Sequence, residues 1–273
     1  MKVPPLSPDT PAALWRSAAA QDPSRPFVTA YDADTGGRVE LSYATFDNWV
    51  AKTSGLIADG LGAVPGERVA LALPVHWQSL VWLLACWSTG TVPVPATGPG
   101  EVPEADVAVA DAARVEAALD GPAREVVAAS LHPLGAPLAD CPPAALDYSD
   151  EVRAYPDAFS PRGAAGPGDP ALELDGVRSG AELVAAAQET AKRWMLTSDD
   201  RVAIITSARD PLGALGSGLS ALLAPLSRAV PLILSPSIDS TNLQSRLGME
   251  RATAIAGAPP GTPAKTGDIR VLS

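Results

Sequence analysis

Arg68-Val69-Ala70-Leu71-Ala72-Leu73 is a run without charge after its first residue, ended by Pro74. A tryptophan-rich segment from His76 to Ser88 and a second extended run from Thr91 to Val94 follow it. A short run that is apolar at every position reads as a strand covered on both faces, and strand, helix, strand in that order make a parallel β-α-β unit. The order recurs as Arg201-Val202-Ala203-Ile204-Ile205-Thr206, a small-residue stretch read as a helix around Leu212 to Leu226, and Val230 to Leu234. Two such units predict an α/β protein: two three-layer α/β subdomains with mostly parallel sheets.

Upstream, Thr10 before Pro11 predicts a helix that runs to Gln21 and stops at Asp22-Pro23, because proline at the first helical position loses no needed N–H. Phe27 to Tyr31 and Val39 to Leu41 read as extended and are joined through Asp34-Thr35-Gly36-Gly37. Ser42 opens a second helix, with Phe46, Val50, Thr53, Ile57 and Leu61 on one apolar face. Downstream, Glu101 to Ala171 is rich in Ala, Pro and Asp, and Ser160 to Gly168 reads as a loop at a seam. The expected units are residues 1–155, a Pro/Gly-rich seam over 156–168, and a second, partial α/β subdomain over 169–273. Ser179 with Glu182 forms a capping box, and Leu183, Ala187, Ala191 and Trp194 mark the buried stripe of the helix behind it.

The 273 residues are 47% hydrophobic and 19% charged, which excludes a disordered or coiled-coil chain, while 28 Pro and 23 Gly demand many turns. A net charge of −11 gives no general attraction for nucleic acid or an anionic membrane. Cys86 and Cys141 are far apart and the only histidines are His76 and His132, so no structural zinc site and no metal is expected; both thiols read as reduced in a cytoplasm. Val69 to Gly100 carries no charge, but Pro74, His76, Gln78, Ser79 and Pro93 interrupt it, so a buried β-α-β unit explains it better than a membrane span. The first residues show no apolar core of signal-peptide length.

Three segments in order carry a family resemblance. Leu41-Ser42-Tyr43-Ala44-Thr45-Phe46, Leu61-Gly62-Ala63-Val64-Pro65-Gly66-Glu67-Arg68-Val69-Ala70, and Leu83-Leu84-Ala85-Cys86-Trp87-Ser88-Thr89-Gly90-Thr91-Val92-Pro93-Val94-Pro95 resemble the amino-terminal region of the adenylate-forming (AMP-binding) enzymes: acyl- and aryl-CoA ligases, peptide-synthetase adenylation domains and luciferases. Val202 to Thr253, ending in Glu250-Arg251-Ala252-Thr253, resembles a later segment of the same family. The whole is similar to a short actinobacterial family of unknown function, and 16 Arg against 4 Lys suits a high-GC genome.

The resemblance implies a phosphate-binding loop of the form TSGTTGxPKG between a strand at Ala171-Leu172-Glu173-Leu174 and the helix from Ser179. Only Asp175-Gly176-Val177-Arg178 stands there. Backbone N–H groups and a cation must hold a polyphosphate while charge moves, and this stretch is short and carries an acid. The resemblance also puts Asp210 where the family has a histidine or aromatic, if Gly213 is the glycine of that motif, and the given sequence ends at Ser273 before the family's magnesium-binding motif and lysine-bearing domain. The expectation is a truncated, catalytically degenerate homologue that acts as a binding or interaction protein for a small acyl or aryl ligand, a protein partner or a second copy of itself. The alternatives are a partial AMP-forming acyl-CoA ligase completed by a partner chain, with ATP and Mg as its cofactors, and a structural or assembly subunit. No catalytic residue and no cofactor is expected under the first reading.

The candidate binding residues are Arg178, the one cation near the shortened loop, and His76 and Trp77, which follow a strand's carboxyl end, where ligands of open α/β sheets collect. Packing and helix capping compete as roles for His76 and Trp77. Gly213-Ala214-Leu215-Gly216-Ser217-Gly218 lacks dinucleotide-loop spacing and reads as a helix permitting close approach. Asp199-Asp200 reads as a turn, and Gly257 to Gly267 as a Pro-rich surface loop rather than a phosphate site.

Overall fold

Four side chains start the main helices. Thr10 accepts from the Ala13 N–H at the head of α1 (Pro11–Gln21), Ser42 from Thr45 N–H at α2 (Tyr43–Gly55), and His76 from Gln78 N–H at α3 (Trp77–Thr89). Ser179 and Glu182 close a reciprocal capping box at α6 (Gly180–Arg193). Each bond satisfies an N–H that has no intrahelical acceptor. The computed structural model describes residues 8–32, 35–161, 163, 165–207, 209–236, 240–257, 265–266 and 268–272; the expected loop at Gly257 to Gly267 lies mostly outside them.

Between these helices run β1 (Pro26–Tyr31), β2 (Arg38–Ser42), β3 (Arg68–Ala72), β4 (Val92–Pro95), β5 (Val107–Asp111), α4 (Val115–Leu119), β6 (Glu125–Ala129), β7 (Leu146–Asp147) and α5 (Tyr148–Glu151). After them come β8 (Pro170–Glu173), β9 (Val177–Ser179), β10 (Val202–Thr206), α7 (Ser220–Leu226), β11 (Leu232–Pro236), α8 (Ser240–Met249), β12 (Ala254–Ala256), β13 (Lys265–Thr266) and β14 (Ile269–Val271). Among the described residues one sheet has the order β4-β3-β5-β6-β7, parallel throughout. A second has the order β13-β14-β12-β10-β11-β1-β2, with β2 and β13 antiparallel at its edges. The α/β class with mostly parallel sheets is as expected.

Strand order is not consecutive in the chain. β1 and β2 belong to the sheet built by β10, β11, β12 and β14, because β1 is buried on both faces and needs a neighbour at each edge; β2 supplies one and β11 the other. The stretch from Glu101 to Ala171, which composition left without elements, contributes β5, β6 and β7 to the first sheet.

Alternation fixes which face points where. Val69, Leu71, Val107, Val109 and Val127 of the first sheet pack into one cluster with Trp15, Phe46, Leu84, Leu183 and Leu222 from five helices, and with Val202, Ile204, Leu232 and Leu234 of the second sheet. The two sheets therefore share one helical filling. On the far side of the first sheet the alternate positions are Ala70, Ala72, Ala108, Ala110 and Ala128, under a thin cover of Val115, Ala118 and partly buried Val102 and Leu138. Large side chains face the thick layer and alanines the thin one.

A main-chain seam joins the sheets. Leu212 N–H donates to the Leu73 carbonyl (3.2 Å), Val75 N–H to the Asp210 carbonyl (2.9 Å) and Gly213 N–H to the Ala96 carbonyl (3.0 Å). The small-residue stretch predicted as one helix departs from that expectation: it makes two short 3-10 turns, Leu212–Leu215 and Ser217–Leu219, before α7. Gly216, Gly218 and Leu219 have φ of +89°, +59° and +55°, which a right-handed helix excludes. The close approach expected of the small residues is nevertheless present. A Cβ on Gly213 would stand 3.0 Å from the Ala96 carbonyl oxygen and 3.2 Å from the Thr97 Cα.

Two substitutions test this packing by chemical denaturation. Leu84→Ala removes a side chain that is fully buried and should cost about 2–5 kcal/mol; a loss under about 0.5 kcal/mol would contradict the burial. Gly213→Ala should cost about 1–3 kcal/mol, since backbone on both sides of the seam must give way, and an unchanged midpoint would show that the seam is not tight.

Candidate functional site

The carboxyl ends of strands from both sheets converge on one cleft of about 830 Å3. Tyr31 and Asp32 reach it from β1, Val75 and His76 from β3, Asp111 to Ala113 from β5, Ser130 to Leu134 from β6, Thr206 and Ser207 from β10, and Leu234 to Pro236 from β11. Parallel strands point their carboxyl ends to one side, and the seam brings the two sheets' ends together there.

The charged side chains of the wall are occupied with one another. Arg38 donates to Glu250 Oε1 and to Glu40 Oε2, each at 2.6 Å. Those contacts raise the arginine above its usual range and hold Glu250 below the carboxylate range, the Arg38 bond being the largest cause in both. Tyr31 Oη donates to the same Glu250 Oε1 at 2.6 Å. Asp111 pairs with buried Arg114 at 2.7 Å, yet burial outweighs the cation and raises its carboxyl. Asp32 accepts from the Thr35 N–H (2.7 Å) and hydroxyl (2.6 Å).

His76 behaves otherwise. Burial pushes its imidazole down to about 4, with the Asp32 charge opposing, so the ring is neutral near pH 7. Its Nδ1 accepts from Gln78 N–H at 3.3 Å, and a nitrogen that accepts carries no proton, which places the proton on Nε2. His132 repeats the arrangement, its Nδ1 accepting from Leu134 N–H at 3.1 Å. Sequence reading singled out His76 but not His132, Ser130 or Asp111. The signal was present: Val107-Ala108-Val109-Ala110 and Val126-Val127-Ala128-Ala129 resemble Val69-Ala70-Leu71-Ala72, and all three strands end at the cleft.

Residues 15–144 match the AMP-binding enzyme family. A TIGR03089 family protein of Mycobacterium tuberculosis is 35% identical over 237 residues, which cover 86% of this chain and 92% of the relative. The chain belongs to the TIGR03089 family. Among solved structures, a Brucella canis acyl-CoA synthetase superposes with a TM-score of 0.69 at 19% identity, over 89% of this chain and 47% of its own. A fatty acyl CoA synthetase of Mycobacterium tuberculosis gives 0.64 at 18%, over 91% and 49%. At such identities the likeness shows the fold, and the TIGR03089 family chain spans about half the length of each synthetase. It is related to the adenylate-forming enzymes, as its motifs indicated.

In this TIGR03089 family chain the stretch where the resemblance puts a phosphate loop is a tight hairpin. β8 and β9 pair antiparallel from Pro170↔Ser179 to Glu173↔Val177, leaving Leu174, Asp175 and Gly176 to turn the chain. Asp175 and Gly176 have φ of +54° and +103°, and Leu174 N–H is used by the Gly176 carbonyl at 3.1 Å. Arg178 donates to Ser217 Oγ at 2.7 Å and does not line the cleft. Trp77 is buried against Trp49, their rings 5.3 Å apart, as a packing residue. Asp210, which the resemblance puts where the family has a histidine or aromatic, accepts from Ser207 N–H and closes its own turn. Asp200 accepts from Thr197 N–H, Thr253 Oγ1 and Arg270, which makes Asp199-Asp200 a turn tied to two strands. Cys86 and Cys141 are free; burial pushes the Cys86 thiol up to about 12 and makes it unreactive. No helix among the described residues is long and apolar enough to cross a membrane.

The His76 shift sets a pH dependence. An unfolded histidine titrates near 6.5 and the folded one at about 4, so folding favours the neutral ring. The contribution is complete above about pH 6.5 and is lost as pH falls from there to about 4, up to about 3 kcal/mol. Urea denaturation at pH 7 and pH 4 should show this loss in the wild type and a clearly smaller one in His76→Asn, which keeps a capping side chain; equal losses would mean that the ring titrates freely.

Proposed function

We propose that this TIGR03089 family protein uses the adenylate-forming fold without adenylation, as a binding protein that takes a small acyl or aryl ligand into the cleft between its two sheets. The observation that carries this reading is the three-residue turn between β8 and β9. Polyphosphate brings about four negative charges that need convergent N–H donors and cations at close range. The turn offers an Asp175 carboxylate of the wrong sign, its Leu174 N–H is already used, and Arg178 is engaged with Ser217. Favourable long-range field is lacking too, at a net charge of −11. The free thiols fit a cytoplasmic setting.

Calorimetric titration with MgATP, alone and with a panel of carboxylic acids, together with pyrophosphate release, tests the reading. We expect no binding tighter than about millimolar and no pyrophosphate above the protein-free control. Micromolar binding with turnover by the lone chain would overturn it, and turnover that requires a second, co-purified chain would replace it with the partner-completed ligase.

A further inference from the structure

Given a ligand-binding cleft as just described, its chemistry narrows the ligand. Among the described residues that line the cleft the only Lys or Arg is Arg38, and Glu40 and Glu250 already share it. Asp32 and Asp111 add carboxylates. A free carboxylic acid would therefore find no spare cation, since Arg38 is shared and Asp111 already holds Arg114. The rest of the wall is aliphatic and proline-rich, with Val75, Pro133, Pro137, Leu138 and Pro236.

Two uncommitted donors remain. The Nε2–H groups of His76 and His132 have no hydrogen-bond partner among the described residues, whereas both Nδ1 atoms are locked by backbone N–H groups two residues on. Gln78 connects them: fully buried, it gives its main-chain N–H to His76 Nδ1 and its side-chain Nε2 to the His132 carbonyl, both at 3.3 Å. Gln78 thus touches the His76 ring and the main chain that carries His132, on segments that follow different strands. Arg153 holds the same loop through the Gly135 carbonyl at 2.9 Å.

We propose that His76 and His132, whose segments Gln78 links, form a pair of Nε2–H donors that receives the oxygens of an uncharged acyl ester while its acyl chain lies along the proline and aliphatic wall. A neutral acceptor gains the two hydrogen bonds and needs no cation, which this wall does not spare. The same fold would then read the esterified, not the free, form of an acyl group.

The probe is ethyl hexanoate, with hexanoate at pH 7.5 as the charged control, followed by calorimetry and by imidazole proton–nitrogen NMR of uniformly labelled full-length protein. With two histidines in the chain, each ring is resolved. We expect both rings as Nε2–H tautomers, both shifting with the ester and neither with hexanoate. His76→Asn and His132→Asn should each weaken ester binding about threefold to tenfold, and Gln78→Leu should move the His132 signals while leaving the His76 tautomer in place. Hexanoate binding as tightly as the ester, an Nδ1–H tautomer at either ring, or ester affinity unchanged in both histidine variants would overturn the proposal. The MgATP titration separates the two readings: pyrophosphate release sinks the non-adenylating function whatever the ester does, and silence toward both ATP and ester sinks only the donor pair.

Discussion

The Leu212 to Leu73, Val75 to Asp210 and Gly213 to Ala96 hydrogen bonds tie the carboxyl ends of β3 and β4 to the segment after β10. Each sheet alone would present its strand ends to solvent, as any parallel sheet does. Joined at this seam, the two sets of ends face each other and enclose a volume that neither sheet possesses alone. Gly213, inside the first 3-10 turn, is the point at which backbone meets backbone.

A three-residue turn between two paired strands leaves its surroundings in order. β8 and β9 keep their antiparallel register, the capping box at Ser179 still starts α6, and Arg178 finds Ser217 as its partner. Asp175 and Gly176 adopt the left-handed backbone that a tight turn requires, a conformation open to glycine and tolerated by aspartate.

Local signals made much of this architecture legible. Thr10, Ser42 and Ser179 announced their helices, and the charge-free runs at Val69 and Val202 announced buried parallel strands. Two kinds of element were hidden. β5 and β6 are short and alanine-rich, and alanine's weak strand preference made them look like loop; with them went His132, Asp111 and Ser130, half of the cleft. The other hidden feature was pairing between distant segments, since nothing local in Phe27-Val28-Thr29-Ala30 names β11 as its neighbour. His76 was legible because it follows a strong strand. Trp77 and Arg178 lay near the right places but point to packing and to a turn, distinctions that depend on side-chain direction rather than on position in the chain.

The place of β1 in its sheet has a bearing on how the chain is made. Val28 pairs with Leu232, which lies 204 positions later. At a synthesis rate of about 5–20 residues per second the first strand waits roughly 10 to 40 s for its central neighbour. During that interval only the β2 hairpin covers one edge, and Phe27 and Val28, fully buried in the finished protein, depend on the helices made before β11, α1 and α2 first among them. The nascent chain thus carries an open strand edge for most of its synthesis, which makes the order of emergence, rather than the final stability, the hazard that its amino-terminal helices answer.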